Sequence, residues 1–180
     1  MKVYEIVKST ISKDDVHGMG HVLRVYKIAS NMAKELGADL KVVKISALLH
    51  DIARGVENHA IEGGKIAKKI LKDLGFDRIE DVVHVIESHS FSSGVKPKTL
   101  EAKIVSDADK IDALGYIGLY RVVCHGCSEG RTLEDTISHM ENKLLKLPDL
   151  MYTDIGRRIA LERVNVIEDF IRGLRGELVG

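Results

Sequence analysis

The sequence predicts an all-α protein, built as a single compact helical domain, and three observations support this. Apolar residues recur every three to four positions along nearly the whole chain, which is the period of an amphipathic helix. Strand-like alternation is absent, and the 180 residues contain only two prolines. Apolar residues make up 44% and charged residues 30%, as in ordinary globular proteins. Because no repeat or linker interrupts the pattern, we expect one domain over residues 1–180.

The first half of the chain predicts five helices in order. They are expected over residues 4–11, 21–36, 40–51, 59–74 and a segment that ends near 88. Gly37 is well placed to end the second helix, and Asp39 can cap the third. Asp77, with Glu80 three residues later, resembles a capping box for the fifth helix. A loop is expected over residues 90–97, directly after His89.

The second half predicts three more helices, over residues 99–123, 133–147 and 154–174. The first of these is expected to be long and unbroken, with one buried row formed by Ile104, Ala108, Ile111, Gly115 and Leu119. The helices within 131–175 are expected to complete the core. Part of the apolar surface of the last helix is an alternative site for homodimer formation.

Charge and composition restrict the partners and the location. Lysine plus arginine equals aspartate plus glutamate at 27 each, so no global field favours nucleic acid. The chain shows no secretory signal, and no apolar run approaches the roughly 20 residues of a membrane span. We therefore expect a cytoplasmic protein without nucleic-acid or membrane partners. Cys124 and Cys127 lack the second pair that a structural zinc site needs, so we expect them to be packing residues.

The pair His50–Asp51 is the first candidate for chemistry, because it lies at the buried end of an apolar stripe. Burying an unpaired carboxylate and imidazole there would cost several kcal/mol, and a divalent cation is the simplest partner for both. The alternative is a core histidine bonded to backbone beside a surface aspartate. His21 and Asp109 are expected to point inward from two other helices. Mixed imidazole and carboxylate ligands suit manganese, iron, cobalt, nickel or zinc.

The ordered set His21, His50–Asp51, Asp109 resembles the HD-domain superfamily of metal-dependent phosphohydrolases, whose signature is His, then His-Asp, then Asp. The segments HVLRV at 21–25, LLHDI at 48–52 and DADKIDALG at 107–115 are similar to its motifs. The chain most resembles small stand-alone bacterial and archaeal members, which usually carry a histidine where His17 stands. Gly18 departs from the aspartate usual in that branch. The likeness covers residues 15–121.

This resemblance implies that the four signature residues bind a divalent ion: manganese, cobalt, nickel, iron, zinc or magnesium. It implies hydrolysis of a small phosphorylated metabolite, foremost a nucleotide, by metal-activated water. His50 and Asp51 would be the catalytic residues. Asp51 would orient the water or bridge to a second ion.

The resemblance also draws attention to His59 and His89, which fall where some HD hydrolases hold a second metal. They are candidates for a second metal or for contact with phosphate. The alternative is that His59 merely opens a helix and His89 closes one. His84 is expected to be structural.

Cationic side chains near the signature are candidates for substrate phosphate. They are Arg24, Arg54 and Lys110, with His17 as a further substrate-binding candidate. Each of the three cations could instead form an ordinary ion pair. Asp112 is a candidate to orient a histidine ligand, and Asp107 is expected to be exposed.

Two other functional hypotheses remain open from the sequence. Some HD-like proteins hold two irons and activate oxygen, and His59 with His89 could complete such a pair. The other is a non-catalytic module that senses a nucleotide through a metal-bearing pocket. It predicts thermal stabilisation by nucleotide without turnover.

Overall fold

The computed structural model describes residues 2–11 and 16–179, and all regular secondary structure in this part of the chain is helical. The α-helices are α1 (Lys2–Thr10), α2 (Met19–Leu36), α3 (Leu40–Leu49), α4 (His59–Asp73), α5 (Ile79–Ser88), α6 (Leu100–Asp112), α7 (Gly115–Ser128), α8 (Leu133–Asn142) and α9 (Asp154–Val179). Short 3-10 segments occupy Phe91–Ser93 and Leu144–Leu150. The all-α prediction is confirmed. The start of the family likeness, at residue 15, lies outside the described residues.

The ends of α2 and α3 form as their sequences predict. Gly37 ends α2 in the left-handed region, at φ 70°, where a glycine has no steric cost. Asp39 caps α3, and its carboxylate accepts hydrogen bonds from the backbone N–H groups of Lys41 and Val42. Helix α3 ends at Leu49, so His50 is its C-cap residue and Asp51 lies in the following turn.

The predicted capping box at Asp77 and Glu80 is wrong. Helix α5 begins at Ile79 with Arg78 at its N-cap position, and no side chain caps it. Asp77 pairs instead with Lys41 of α3, and Glu80 pairs with Lys68 of α4. The two carboxylates that the local spacing predicted to cap α5 therefore form ion pairs with lysines of neighbouring helices instead.

The long helix predicted over 99–123 is also wrong, because the chain breaks between α6 and α7. Leu114 is extended, at φ −116° and ψ 169°, and Gly115 has φ 71°. The turn is tight: a Cβ on Gly118 would lie 2.2 Å from the backbone carbonyl of Ala113. Apolar periodicity survives the break because both helices bury residues at the same spacing, so the pattern alone could not reveal it.

The chain divides into two units, the first ending at Asp109 and the second beginning at Lys110. In the first unit α3 packs on α1, α2 and α5, and α4 packs on α5. Its largest fully buried side chains include Met32, Leu48, Leu49, Leu71 and Ile86. Each contributes roughly 1.5–3 kcal/mol by leaving water.

In the second unit α9 packs on α7 and on the 3-10 segment Leu144–Leu150. Ile137, Met140 and Ile167 are fully buried there. None of the described helices combines the length and the apolar character needed to cross a bilayer.

Candidate metal centre

Five side chains of the first unit converge from the ends of four helices. They are His21 in the first turn of α2, His50 and Asp51 at the end of α3, His59 at the start of α4, and His89 at the C-cap of α5. A sixth, Asp109, comes from α6. Four of the six are almost completely buried, at 1% exposure for His21, 0% for His50, 2% for Asp51 and 3% for His89. The fold thus assembles the set that the sequence had singled out.

The inner half of this cluster comprises His21, His50, Asp109 and the Oδ2 atom of Asp51. The His21 and His50 Nε2 atoms are 3.2 Å apart, and Asp109 Oδ1 lies 3.3 Å from the first and 3.9 Å from the second. Asp51 Oδ2 is 3.7 Å from His21 Nε2 and 3.8 Å from His50 Nε2. Ligand atoms about 2.1 Å from one cation lie about 3–4 Å from each other, so these spacings fit a shared ion.

The outer half comprises His59, His89 and the Oδ1 atom of Asp51. This oxygen lies 3.7 Å from His59 Nε2 and 3.6 Å from His89 Nε2. The rings of His59 and His89 meet edge to face with centroids 5.5 Å apart. One oxygen of Asp51 therefore faces each half. His21, His50 and Asp51 form one group that could hold a metal ion, and Asp51, His59 and His89 form another.

His50 and His89 are each held by a hydrogen bond to a carbonyl oxygen of their own helix. The Nδ1 atom of His50 lies 2.9 Å from the Ala47 carbonyl oxygen, and that of His89 lies 2.6 Å from the Ile86 carbonyl oxygen. A carbonyl can only accept, so Nδ1 is assigned as the protonated nitrogen of each ring. Nε2 then carries a lone pair directed into the cluster, as a metal ligand requires. The same bonds satisfy carbonyl groups at the ends of α3 and α5.

Burial keeps two of the imidazoles in the neutral form that binds metals. It lowers the pKa of His50 to about 4, with His21 and His89 lowering it further against the opposing charge of Asp51. Burial likewise lowers the pKa of His59, helped by the nearby charges of His89 and Arg54. The His50 ring is therefore neutral at pH 7, and burial favours the neutral form of His59 as well.

The carboxylates remain ionised despite their surroundings. Burial acts to raise the pKa of Asp51, but His50 and His89 outweigh it and lower the value overall. His21 lowers the pKa of Asp109 against the effect of burial in the same way. The pKa of His89 is raised, because its contact with Asp51 and the charge of Asp109 exceed the effect of its burial.

The hydrogen bonding of Asp51 Oδ1 indicates whether the cluster suits a cation. This buried oxygen makes no hydrogen bond, although buried carboxylate oxygens are normally satisfied. A cation in the outer half would remove that deficit. Imidazole nitrogens with carboxylate oxygens form a donor set for borderline divalent ions. The residues present therefore fit a divalent metal.

Two further predicted residues, Arg54 and His17, meet beside the outer half. The Nη2 atom of Arg54 donates a 2.8 Å hydrogen bond to His17 Nε2. Its Nη1 atom lies 3.5 Å from His59 Nε2 and 3.6 Å from Asp51 Oδ1. The side chain of Arg54 is 41% exposed, so it borders solvent.

Two of the remaining candidates, Lys110 and Asp112, contact residues outside the cluster. The Lys110 ammonium lies over the ring of Tyr152, 4.9 Å from its centroid. Asp112 is buried and accepts a 2.8 Å hydrogen bond from Arg121 Nη1. Arg24 is half-buried on α2. Their roles in binding substrate or orienting ligands stay predictions.

Two expectations about exposure are wrong. Asp107 was expected at the surface but is completely buried, because α6 is buried on every side over residues 104–108. Cys124 and Cys127 are free thiols, and Cys127 is exposed rather than a packing residue. His84 accepts a 3.0 Å hydrogen bond from the Lys98 N–H, which agrees with its expected structural role.

Two supports of the cluster were not predicted from the sequence. Ser106 Oγ donates a 3.0 Å hydrogen bond to the carbonyl oxygen of His89, fixing the end of α5 to α6. At Gly63 a Cβ would lie 3.3 Å from Ile86 Cγ2 and 3.6 Å from the His50 carbonyl oxygen, so α4 approaches closely there. The adjacent glycines Gly63 and Gly64 inside a predicted helix were the available signal.

Comparison with known proteins agrees with this geometry. Residues 18–114 match the HD domain family. YpgQ of Bacillus subtilis is 30% identical over 175 residues, which cover 91% of this chain and 85% of that protein. The crystal structure of YpgQ in complex with ADP superposes with a TM-score of 0.83 at 28% identity, covering 99% of this chain and 97% of that one.

Two other relatives extend the comparison. An HD-superfamily hydrolase from Bacillus thuringiensis gives a TM-score of 0.79 at 30% identity, covering 99% of this chain and 96% of its own. Ribonuclease Y of Lawsonia intracellularis is 39% identical over 94 residues, 49% of this chain but only 17% of that protein.

Proposed function

The chain belongs to the HD-domain family, and from this premise we propose that it is a metal-dependent phosphohydrolase acting on a nucleotide. The observation that carries the proposal is the buried cluster in which the two oxygens of Asp51 face two sets of imidazoles. The hydrolase fold is shared with the Bacillus thuringiensis relative. The ADP complex of YpgQ supports a nucleotide as the phosphorylated substrate.

The division of Asp51 supports two cation positions. His21, His50, Asp109 and Asp51 Oδ2 would hold one ion, and His59, His89 and Asp51 Oδ1 the other. A divalent cation held there lowers the pKa of a water molecule towards neutrality and polarises a phosphoryl oxygen. Asp51 would contribute one carboxylate oxygen to each position.

Exposure indicates the side from which substrate would enter. The side chains of His21, His50 and Asp51 are at most 3% exposed, whereas Asp109 is 30% exposed and His59 15%. The open side of the cluster is therefore bordered by Asp109, His59 and Arg54. A phosphate group would approach the cluster from this side, and the buried imidazoles would serve as ligands to the cations.

Charge explains why the cluster alone would not bind phosphate. Two ionised carboxylates, Asp51 and Asp109, lie in the cluster, and their negative charge repels an anionic substrate. One divalent ion would neutralise both carboxylates, and a second would make the centre positive. The guanidinium of Arg54 adds a positive charge at the open side. Substrate affinity should therefore depend on metal occupancy.

The test is to measure metal content and then turnover. Protein purified without chelator is analysed for bound elements. Phosphate and pyrophosphate release are then measured on a nucleotide panel with manganese, cobalt, nickel or magnesium. Asp51→Asn should abolish release, whereas Asp149→Asn, at an exposed carboxylate paired with Arg157, should not. If the fully metal-loaded protein hydrolyses no phosphate compound, the proposal is wrong.

The same experiment separates the alternatives. Thermal stabilisation by ADP without turnover would favour a nucleotide sensor. A redox-active iron pair, seen by spectroscopy after anaerobic iron loading, would favour an oxygenase. An RNA oligonucleotide belongs in the panel because of the likeness to ribonuclease Y. Preferential cleavage of that RNA would replace the nucleotide with a polymer substrate.

A further inference from the structure

The guanidinium of Arg54 lies beside the outer half, where it supplies positive charge that a second metal ion would otherwise supply. Its Nη1 atom is 3.6 Å from Asp51 Oδ1 and 3.5 Å from His59 Nε2. Its Nη2 atom is hydrogen-bonded to His17 Nε2 at 2.8 Å. A guanidinium is always protonated, so a permanent positive charge lies against the lone pairs of three ligand-type atoms.

We propose that Arg54 is a built-in competitor for the outer cation position, so that this half of the centre alternates between an arginine-filled and a metal-filled state. The inference rests on the proposed two-cation centre. It adds that the two positions differ in occupancy, and that Arg54 is the residue responsible for the difference.

The competition has a steric and an electrostatic cause. A lone pair of Asp51 Oδ1 or His59 Nε2 that points at the guanidinium is less available to a metal ion. A divalent cation in the outer half would also be repelled by the guanidinium at this distance. Arg54 contacts Asp51 through Oδ1, the oxygen of the outer half, so the inner half keeps its own oxygen of the shared carboxylate. The inner ion should therefore bind tightly and the outer ion more weakly.

The Arg54 side chain has room to move away from Asp51 and His59, because it is 41% exposed and lies on the open side of the cluster. An anionic phosphate bound there would attract the guanidinium away from Asp51 and His59. By linkage, phosphate should then raise the affinity of the outer position for metal, and metal should raise the affinity for phosphate. Arg54 is a positioning residue in this account, and it couples substrate binding to assembly of the second ion.

The experiment compares wild-type protein with Arg54→Met, which keeps an unbranched side chain but removes the charge. Manganese is titrated into metal-free protein and followed by calorimetry and by the electron paramagnetic resonance of free Mn²⁺. The dissociation constant of the weaker ion should fall at least about tenfold in the variant, while that of the tighter ion stays within about twofold. Millimolar inorganic phosphate should tighten the weaker ion in the wild type but not in Arg54→Met.

Control variants separate charge competition from a loss of structure. Arg54→Gln is a second neutral replacement, used if Arg54→Met does not fold by circular dichroism. Arg172→Met removes an exposed arginine of α9, a helix that supplies no residue of the cluster, and should change neither constant. A purely structural role for Arg54 would weaken both ions or neither.

The outcomes are distinct. An unchanged or weaker second ion in both neutral variants would overturn the competition, and so would binding of a single ion by every protein tested. Neither readout requires turnover. If the affinities shift as expected but no phosphate compound is hydrolysed, the role of Arg54 stands and only the hydrolase proposal fails.

Discussion

The two halves of the cluster share Asp51 but differ in the charged group that lies beside them. In the inner half His21 and His50 are at most 1% exposed and the carboxylate of Asp109 is 30% exposed. In the outer half His89 is 3% exposed and His59 15%, and the neighbouring guanidinium of Arg54 is 41% exposed. Buried polar atoms must find a partner inside the protein, whereas atoms near the surface can be satisfied by solvent or a mobile side chain. On the proposed two-cation centre, an ion in the inner half would be resident and an ion in the outer half, beside the Arg54 guanidinium, would be exchangeable.

Ligand chemistry does not cause this difference. Each half contains a helix C-cap histidine, His50 or His89, whose Nδ1 atom bonds a carbonyl oxygen of its own helix. Each half also receives one oxygen of Asp51. What distinguishes them is the neighbour supplied by the tertiary structure: Asp109 for the inner half and Arg54 for the outer. The following predictions test that distinction, from the largest effect to the smallest.

Asp51→Asn should have the largest effect, because it removes the charge that both halves share. We expect both ions to be lost and kcat/KM to fall by about 10³-fold or more, equivalent to about 4 kcal/mol of transition-state stabilisation. Elemental analysis and initial rates measure the two quantities. Asp149→Asn is the matched control. Stoichiometric retention of one tight ion would contradict a shared carboxylate.

His50→Gln and His89→Gln should separate the halves. We expect His50→Gln to lose the tighter ion and about 10²-fold in activity, whereas His89→Gln loses only the weaker ion and roughly tenfold. Metal content after dialysis, measured beside the rates, gives the comparison. If both variants lose the same ions in the same proportion, the centre is a single unit rather than two halves.

Chelation should lower the melting temperature, since the ions bind only the folded protein. At an ion concentration of about 100 times the dissociation constant, binding contributes about 2.7 kcal/mol, or roughly 5–10 °C for a chain of this size. Differential scanning fluorimetry with and without chelator measures the shift. His59→Gln should keep most of it, because the inner ion remains. A His59→Gln protein insensitive to chelator would place the resident ion in the outer half.

Acidification should release the outer ion first. A protonated imidazole cannot bind metal, and the pKa of His89 is raised above its ordinary value whereas that of His50 is lowered to about 4. As the pH falls, His89 therefore gains its proton before His50 does. Metal content measured from pH 8 to pH 5 should fall in two steps, with the weaker ion leaving first. Simultaneous loss, or the reverse order, would contradict this assignment.

Ser106→Ala should have the smallest effect. It removes the buried 3.0 Å hydrogen bond to the His89 carbonyl oxygen, which contributes about 1 kcal/mol to stability. We expect a melting temperature lower by roughly 2–4 °C and a slightly weaker outer ion. The inner ion should be unaffected, and a variant that lost it would show that α6 supports both halves equally.

Local signals predicted most of the helices. Gly37 and Asp39 formed the helix end and cap that their residue types favour, since both depend only on neighbouring backbone. Predictions failed where a distant group competed with the local one. Asp77 pairs with Lys41 instead of capping α5, and the helix is interrupted at Gly115 although the apolar pattern continues there.

The sequence by itself determined the all-α class and the identity of the histidines and aspartates, because these depend on periodicity and on the residue types of short motifs. Only the tertiary structure decided that Asp51 faces two sets of imidazoles and that Arg54 reaches His17, 37 residues earlier in the chain. Asp51 lies just beyond the end of α3, where helical spacing no longer dictates side-chain direction. Its direction follows from how α2, α4 and α5 pack around that turn, which no local pattern encodes.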